Sequence, residues 1–163
     1  TDTTHMCQVC GWDGQCVWVP ADEYDVYMVD EFGQVGGPSA GSFKERAAAM
    51  QAEIFARGPI ACSIASDPDS FDLYRGGVIT DATPLNATDH VIVLAGWGET
   101  EEGVPYWVGR NSYGTRWGEG SGGGWFRIAR GNNTLAIETY PCSWAVPAKE
   151  SVARAIKQAQ DSS

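Results

Sequence analysis

A histidine and an asparagine at the ends of two apolar runs are the residues of this sequence that could carry chemistry together. His90 opens the run that leads to Gly98, and Asn111 closes the run that begins at Tyr106. The 21 positions that separate them leave room for a strand, a turn and a returning strand. Placed that way, an imidazole and a side-chain amide form a base and its orienting partner, since the amide oxygen accepts a ring N–H without competing for the proton.

Alone, either residue has a structural explanation. A histidine at the start of a buried strand is usually packed and hydrogen-bonded, and an asparagine at a strand end usually belongs to a turn. No neighbouring residue in the sequence is an evident nucleophile for the pair to serve.

Length and composition narrow the class of protein. The chain has 163 residues, enough for one domain with a core or for half of a larger one. Its net charge of -10 argues against binding to a nucleic-acid backbone, which needs clustered Lys and Arg. Its longest apolar run, from Val91 to Ala95, is too short to cross a membrane. The chain starts at Thr1 with neither an initiator Met nor a signal peptide, which predicts a processed or excised segment.

Five cysteines, an odd number, crowd the N-terminus and recur at Cys62 and Cys142. In an oxidising compartment an odd count leaves one thiol free or bonded outside the chain. Cys10 and Cys16 bracket turn-forming residues, so a short closed loop is sterically easy there. Zinc is the alternative, although the spacing lacks the paired Cys-x-x-Cys repeats of common structural sites. The ligands would be His5, Cys7, Cys10 and Cys16.

One helix and several short strands are predicted. Ser42 and Glu45 form a capping box for an alanine-rich helix that runs to Arg57 and ends at Gly58-Pro59. Apolar patterns predict strands at 24–32, 60–65, 91–97, 106–110 and 125–130. The glycine-rich stretch 118–124 has no helix behind it, which argues against a phosphate-binding loop. The predicted domains are a loop segment at 1–20, a main domain at 21–146 and a tail at 147–163, either a frayed helix or a docking element.

Four sequence blocks in register resemble the papain-like cysteine peptidases. They are Gly58-Pro59-Ile60, Tyr74-Arg75-Gly76-Gly77, Asp89-His90 with Ala95-Gly96-Trp97-Gly98, and Tyr106-Trp107 followed by Arg110-Asn111-Ser112, Trp117-Gly118-Glu119 and Gly124-Trp125-Phe126-Arg127-Ile128. The resemblance covers about residues 40 to 142. It implies an α+β fold: the β-rich, barrel-like C-terminal half of the papain-like fold, with one main helix and a disulfide-pinned N-terminal loop. His90 and Asn111 would then be two members of a Cys–His–Asn site.

The N-terminal cysteine spacing and Leu135-Ala136-Ile137-Glu138 resemble a carboxypeptidase branch of the family's cathepsins. By that resemblance, Cys10 pairs with Cys16, Cys62 pairs with Cys142, and Cys7 bonds a cysteine outside this chain. None of the five matches the family nucleophile, which opens a helix in a Gln-x-x-x-Cys-Gly-x-Cys-Trp setting. The nucleophile is therefore expected on an upstream segment or a second chain.

Single positions carry further roles by the same resemblance. Ser63 and Val91 match walls of the pocket for the substrate's second residue on the acyl side. Glu138 matches the floor of that pocket, with plain surface exposure as the alternative. Trp117 matches an aromatic platform on the leaving-group side. Tyr113 stands where the family usually has a Trp that shields the His–Asn hydrogen bond from water, so Tyr113 is expected to shield it in part.

The resemblance implies a thiol-dependent peptidase of the carboxypeptidase type, which acts on peptides or proteins without a cofactor or metal. This chain would supply the histidine and the asparagine and would be inactive alone. A non-catalytic, peptidase-derived binding or structural subunit is the alternative. Asn86 and Asn132 begin Asn-x-Thr sequons. With the cysteines, they favour a lysosomal, vacuolar or secreted location, or incorporation into a larger assembly.

Overall fold

The computed structural model describes residues 6–11, 14–20, 28–81, 87–120 and 123–148, with the backbone alone for Met6, Cys7 and Val9. Phe32–Trp144 forms one compact unit, and Thr1–Glu31 with Ala145–Ser163 forms another. His90 and Asn111 both lie in the first of these units. The tail that the sequence predicted from residue 147 falls outside the described residues from 149 onward.

An antiparallel hairpin carries the N-terminal cysteines. Strand β1 spans Met6–Cys10 and pairs with β2, Cys16–Pro20, in a register that places Cys10 opposite Cys16. The two sulfur atoms are bonded to each other. The sequence predicted an irregular loop for this segment. It forms strands instead because valines flank the turn on both sides, and β-branched side chains favour extended backbone.

This disulfide bears on the zinc alternative. Because Cys10 and Cys16 are bonded to each other, neither sulfur is a free thiolate for a metal. His5 and the Cys7 side chain lie outside the described residues. In the part of the chain that the structure describes, no three His, Cys, Asp or Glu side chains come together as a metal-binding group.

Among the described residues, seven strands form the main sheet. They are β3 (Val29–Gly36), β4 (Ile60–Ile64), β5 (Val78–Ile79), β6 (His90–Glu99), β7 (Pro105–Arg110), β8 (Trp125–Ala129) and β9 (Pro141–Pro147). Their order across the sheet is β3-β9-β4-β6-β7-β8-β5. The pairs β4/β6, β6/β7 and β7/β8 are antiparallel, whereas β5 runs parallel to β8.

The long helix α1 spans Phe43–Arg57 and begins with the predicted capping box. The Glu45 carboxylate accepts the Ser42 amide N–H at 2.7 Å, and Ser42 Oγ accepts the Glu45 amide N–H at 3.5 Å. Gly58 ends the helix at φ 98°, a left-handed conformation that favours glycine. The helix contacts β4 and β6, the strands on which the candidate site depends.

Shorter elements complete the described chain. A one-turn helix, α2, spans Asp69–Asp72, and 3-10 turns lie at Pro38–Ala40 and Thr134–Ala136. Of the strand predicted at 24–32, residues 24–27 lie outside the described residues, and β3 covers the rest from Val29 and continues to Gly36. The predictions did not include β9. Among the described residues there is no helix with the length and apolar character that a membrane crossing requires.

Buried apolar side chains of α1 and of several sheet strands pack together in a core. The Cys62–Cys142 disulfide lies in this core and ties β4 to β9 across a sequence separation of 80. A bridge over a loop of that length stabilises the fold by about 4 kcal/mol in the chain-entropy picture. The largest fully buried apolar side chains are Trp107, Phe71, Phe126, Met50, Ile60, Ile64, Ile92, Leu94, Ile128, Leu135 and Ile137.

Candidate active site

The β6–β7 hairpin brings His90 and Asn111 together. His90 is the first residue of β6, and Asn111 directly follows the last residue of β7. The antiparallel register places Val93 opposite Arg110, so the start of one strand lies beside the end of the other. Antiparallel pairing through a short polar loop therefore accounts for the spacing seen in the sequence.

A short hydrogen bond joins the two side chains. His90 Nε2 lies 2.8 Å from Asn111 Oδ1. Asn111 is only 8% exposed, whereas His90 is half-buried at the start of an interior strand. The second ring nitrogen of His90, Nδ1, is thus left for a reacting partner, as a base with an orienting amide requires.

Asn111 is held from both sides by backbone groups. Its side-chain Oδ1 also accepts the backbone N–H of Ser112 at 2.7 Å. The backbone N–H of Asn111 donates to the Gly124 carbonyl at 2.8 Å. A Cβ on Gly124 would lie 2.9 Å from the Asn111 carbonyl oxygen, so only glycine permits this approach. The glycine-rich stretch of the sequence therefore has a structural purpose beside the site.

Asp89, the residue before His90, fixes the entry of the chain into β6. Its carboxylate accepts the Ser66 amide N–H at 2.7 Å. This hydrogen bond holds the pKa of the Asp89 carboxyl below its ordinary value. The anchored carboxylate ties the start of β6 to the segment that follows β4.

Two aromatic rings confine the imidazole. The Tyr113 ring lies 5.2 Å from the His90 ring at an interplanar angle of 34°, and Tyr113 is 45% exposed. Phe71 of α2 is fully buried and meets His90 edge-on at 6.2 Å. Tyr113 thus has the position that a partial shield requires, and its exposed half gives the hydroxyl access to water. Sequence reasoning missed Phe71, since nothing in the sequence relates residue 71 to residue 90.

Trp117 lies among buried aromatic side chains. It is 7% exposed, and its indole N–H donates to the Asp72 carbonyl at 3.0 Å. Its ring packs in an aromatic cluster with Phe71, Tyr74 and Phe126. Core packing and the indole hydrogen bond leave little of the Trp117 ring exposed, and its role as a platform on the leaving-group side stays a prediction.

Glu138 is fully buried, so the surface alternative is wrong. Its place at the floor of a substrate pocket stays a prediction. The carboxylate accepts the Trp107 indole N–H at 3.0 Å and the amide N–H groups of Gly131 and Asn133 at 2.7 and 2.5 Å. These donors compensate for burial of the carboxylate and hold the 131–138 loop against β7.

Ser63 and Val91 lie directly opposite one another in the β4/β6 register. Val91 is 60% exposed and Ser63 is half-buried. A cavity of about 560 Å³ is lined by Val91 but not by Ser63, and its other lining residues include Val93, Asn111, Ser112, Thr115 and Trp125. Their role in substrate binding stays a prediction.

An ion pair closes the loop that follows Asn111. The Arg127 guanidinium binds both oxygens of the Glu119 carboxylate, with Nε at 2.9 Å from Oε2. These hydrogen bonds hold the pKa of the Glu119 carboxyl below its ordinary value. The loop that contains Gly118 and Gly124 is thereby tied back to β8.

The described cysteines leave the pair without a nucleophile. Cys10, Cys16, Cys62 and Cys142 are all in disulfides, which excludes their sulfur atoms as thiolates while the bonds are intact. The side chain of Cys7 lies outside the described residues, so its bond to a partner chain stays a prediction.

The two sequons differ in what the structure describes. Asn132 is exposed, and its Oδ1 accepts the Thr134 hydroxyl at 2.9 Å. Asn86 lies outside the described residues. Glycosylation at either position stays a prediction.

Comparison with known proteins adds an independent line of evidence. The sequence model of a family described as "Papain family cysteine protease" matches residues 4–153. A relative named "Cathepsin Z" from Onchocerca volvulus is 39% identical over 150 residues, which cover 88% of this chain and 44% of the relative. A "Gut-specific cysteine proteinase" from Caenorhabditis elegans is 40% identical over 103 residues, which cover 63% of this chain and 30% of that protein.

A solved structure shares the fold. Procathepsin L2 proteinase from the larval midgut of Tenebrio molitor superposes with a TM-score of 0.62 at 27% sequence identity. The match covers 78% of this chain and 37% of the solved chain. The chain thus spans less than half the length of these relatives.

Proposed function

Since the chain belongs to the papain family of cysteine proteases, we propose that it supplies His90 and Asn111 to a cysteine peptidase whose nucleophile lies outside residues 1–163. The observation that carries this proposal is the 2.8 Å contact between His90 Nε2 and Asn111 Oδ1. The disulfides at four of the five cysteines support the second half of the proposal.

In the proposed reaction, His90 serves first as acid and then as base. An imidazolium at His90 stabilises a neighbouring thiolate, which attacks the carbonyl carbon of the scissile peptide bond. The proton on His90 Nδ1 passes to the leaving amine as the C–N bond breaks and an acyl-enzyme forms. Nδ1 then takes a proton from water, and the resulting hydroxide equivalent releases the acyl group as a carboxylate. Asn111 keeps Nδ1 directed at these atoms.

The proposed specificity is the removal of residues from the C-terminus of peptides. It is supported by the resemblance of the N-terminal cysteine cluster and of residues 135–138 to the cathepsin X branch, also called cathepsin Z, and by the relative that carries the second name. The proposed location is the oxidising secretory route, ending in a lysosome-like compartment or outside the cell. The two disulfides and the exposed Asn132 sequon support that route.

The experiment compares the chain alone with the full product of its gene. Each is incubated with reductant and a peptide at about pH 5.5, where an ordinary thiol is protonated and a His-paired thiolate is not. We expect no turnover by the chain alone, and thiol-dependent turnover by the full product that releases single C-terminal residues. A C-terminally amidated copy of the peptide is the control for carboxypeptidase specificity.

Two outcomes would contradict the proposal. Turnover by residues 1–163 alone would place the nucleophile within this chain. A folded full product that binds the peptide without cleaving it would favour the non-catalytic binding subunit. Internal cleavage of the peptide would retain the peptidase and replace the carboxypeptidase specificity.

A further inference from the structure

The side-chain amide of Asn111 has two possible orientations, and they give His90 opposite chemistry. With the oxygen toward the ring, His90 Nε2 must carry the hydrogen, and Nδ1 has the lone pair that accepts a proton. With the amide turned over, the NH₂ group donates to Nε2, and the hydrogen of the neutral ring moves to Nδ1. A base aimed through Nδ1 works only in the first arrangement.

A backbone group selects between these orientations. The Ser112 amide N–H lies 2.7 Å from the same Asn111 oxygen that meets His90 Nε2. A backbone N–H can only donate, so the atom that faces it must be an acceptor, which is the oxygen and not the nitrogen of the amide. Turning the amide over would bring the NH₂ group against the Ser112 N–H and leave two donors facing each other.

The other atom of the amide does not decide its orientation. Asn111 Nδ2 is buried and has no hydrogen-bond partner among the described residues. A buried N–H group without a partner is unfavourable, so contacts of Nδ2 do not hold the amide as observed. The orientation therefore depends on the two donors that converge on Oδ1.

We infer that the Ser112 backbone amide is a positioning group, which fixes the orientation of Asn111 and through it the Nε2–H tautomer of His90. The Ser112 side chain has no part in this effect. The catalytic meaning of the tautomer rests on the proposed function, but the tautomer itself is a property of this chain.

The test reads the tautomer by ¹⁵N NMR of residues 1–163 at about pH 9, well above the ordinary imidazole pKa of about 6.5. The chain has two histidines, so a His5→Gln background leaves His90 as the only imidazole signal. We expect a pyrrole-type signal for Nε2 and a pyridine-type signal for Nδ1, without a second tautomer. A mixture of tautomers in this chain would overturn the inference by itself.

A semisynthetic chain with the hydroxy-acid analogue of serine at position 112 replaces the N–H by an ester oxygen. We expect the Nδ1–H tautomer to appear in that chain, whereas Ser112→Ala, which keeps the N–H, retains the single tautomer. Asn111→Asp is the matched rescue, because its two oxygens accept in either orientation. In the Asp background the ester is expected to leave the Nε2–H tautomer unchanged.

An ester chain that keeps the single tautomer in the Asn111 background would overturn the inference. Unchanged amide signals from residues 106–110 of β7 show that the fold persists in each variant. The measurement involves neither the proposed nucleophilic cysteine nor a substrate. A tautomer result that overturns the inference therefore leaves the proposed peptidase standing. Conversely, an inactive full product leaves the tautomer result standing.

Discussion

Replacing His90 with alanine in the full gene product is expected to lower kcat for peptide hydrolysis by at least about 10³-fold. The reason is that one imidazole performs two proton transfers and also stabilises the thiolate, so a single substitution removes all three contributions. The measurement is steady-state turnover of a peptide with a free C-terminus, in the presence of reductant. The other histidine, at position 5, provides the control, since His5→Ala makes the same chemical change where no catalytic role is proposed.

Unchanged turnover in the His90→Ala protein would contradict the assignment of this residue as acid and base.

The kcat of the Asn111→Ala protein is expected to lie between those of the His90→Ala and His5→Ala proteins, because the imidazole ring remains and only its orientation is released. A Tyr113→Phe protein is expected to keep most of its activity. Its ring still covers one side of His90, and the lost hydroxyl belongs to a half-exposed side chain.

Replacing Glu138 with alanine is expected to lower the free energy of unfolding of the disulfide-intact chain by about 5 kcal/mol, because three hydrogen bonds to a charged acceptor are lost. Their donors, the Trp107 indole and the amides of Gly131 and Asn133, would remain in a buried site without a partner. Urea unfolding followed by tryptophan fluorescence gives the measurement.

Two matched variants accompany that substitution. Glu138→Gln keeps the shape of the side chain and one acceptor oxygen, so the free energy of unfolding is expected to fall by less than in Glu138→Ala. Some loss remains, because the new NH₂ group faces an N–H donor. Glu101→Ala removes a carboxylate from an exposed loop and is expected to change the free energy of unfolding by less than about 0.5 kcal/mol. A loss below about 1 kcal/mol for Glu138→Ala would contradict the structural role given to this carboxylate.

Local signals predicted much of the fold. The capping box at Ser42 and Glu45 and the stop at Gly58 gave the bounds of α1, because these interactions span only a few residues. The strands at β4, β6, β7 and β8 lie within a residue or two of the predicted ranges, since each is marked by an apolar run between turn residues. The comparisons confirm the sheet-rich half of the papain fold and the resemblance to cathepsin Z.

Non-local contacts explain the misses. Surface exposure was the alternative given for Glu138, and the sequence does not reveal that Trp107 and two loop amides surround its carboxylate. The role given to Trp117 came from the resemblance alone, and the sequence does not reveal the aromatic side chains that pack against it. Strand β9 was missed because prolines bound it at both ends, yet the disulfide at Cys142 joins it to β4.

The central claim is that His90 and Asn111 serve a cysteine outside residues 1–163. Alkylation of the full gene product with iodoacetate at about pH 5.5 tests it most directly, because at that pH only a thiol paired with an imidazolium reacts quickly. We expect mass spectrometry to find the carboxymethyl group on a cysteine outside this chain, and the rate of alkylation to fall when His90 is replaced by alanine. A label on one of the five cysteines of this chain, or a rate that is unchanged without His90, would contradict the account.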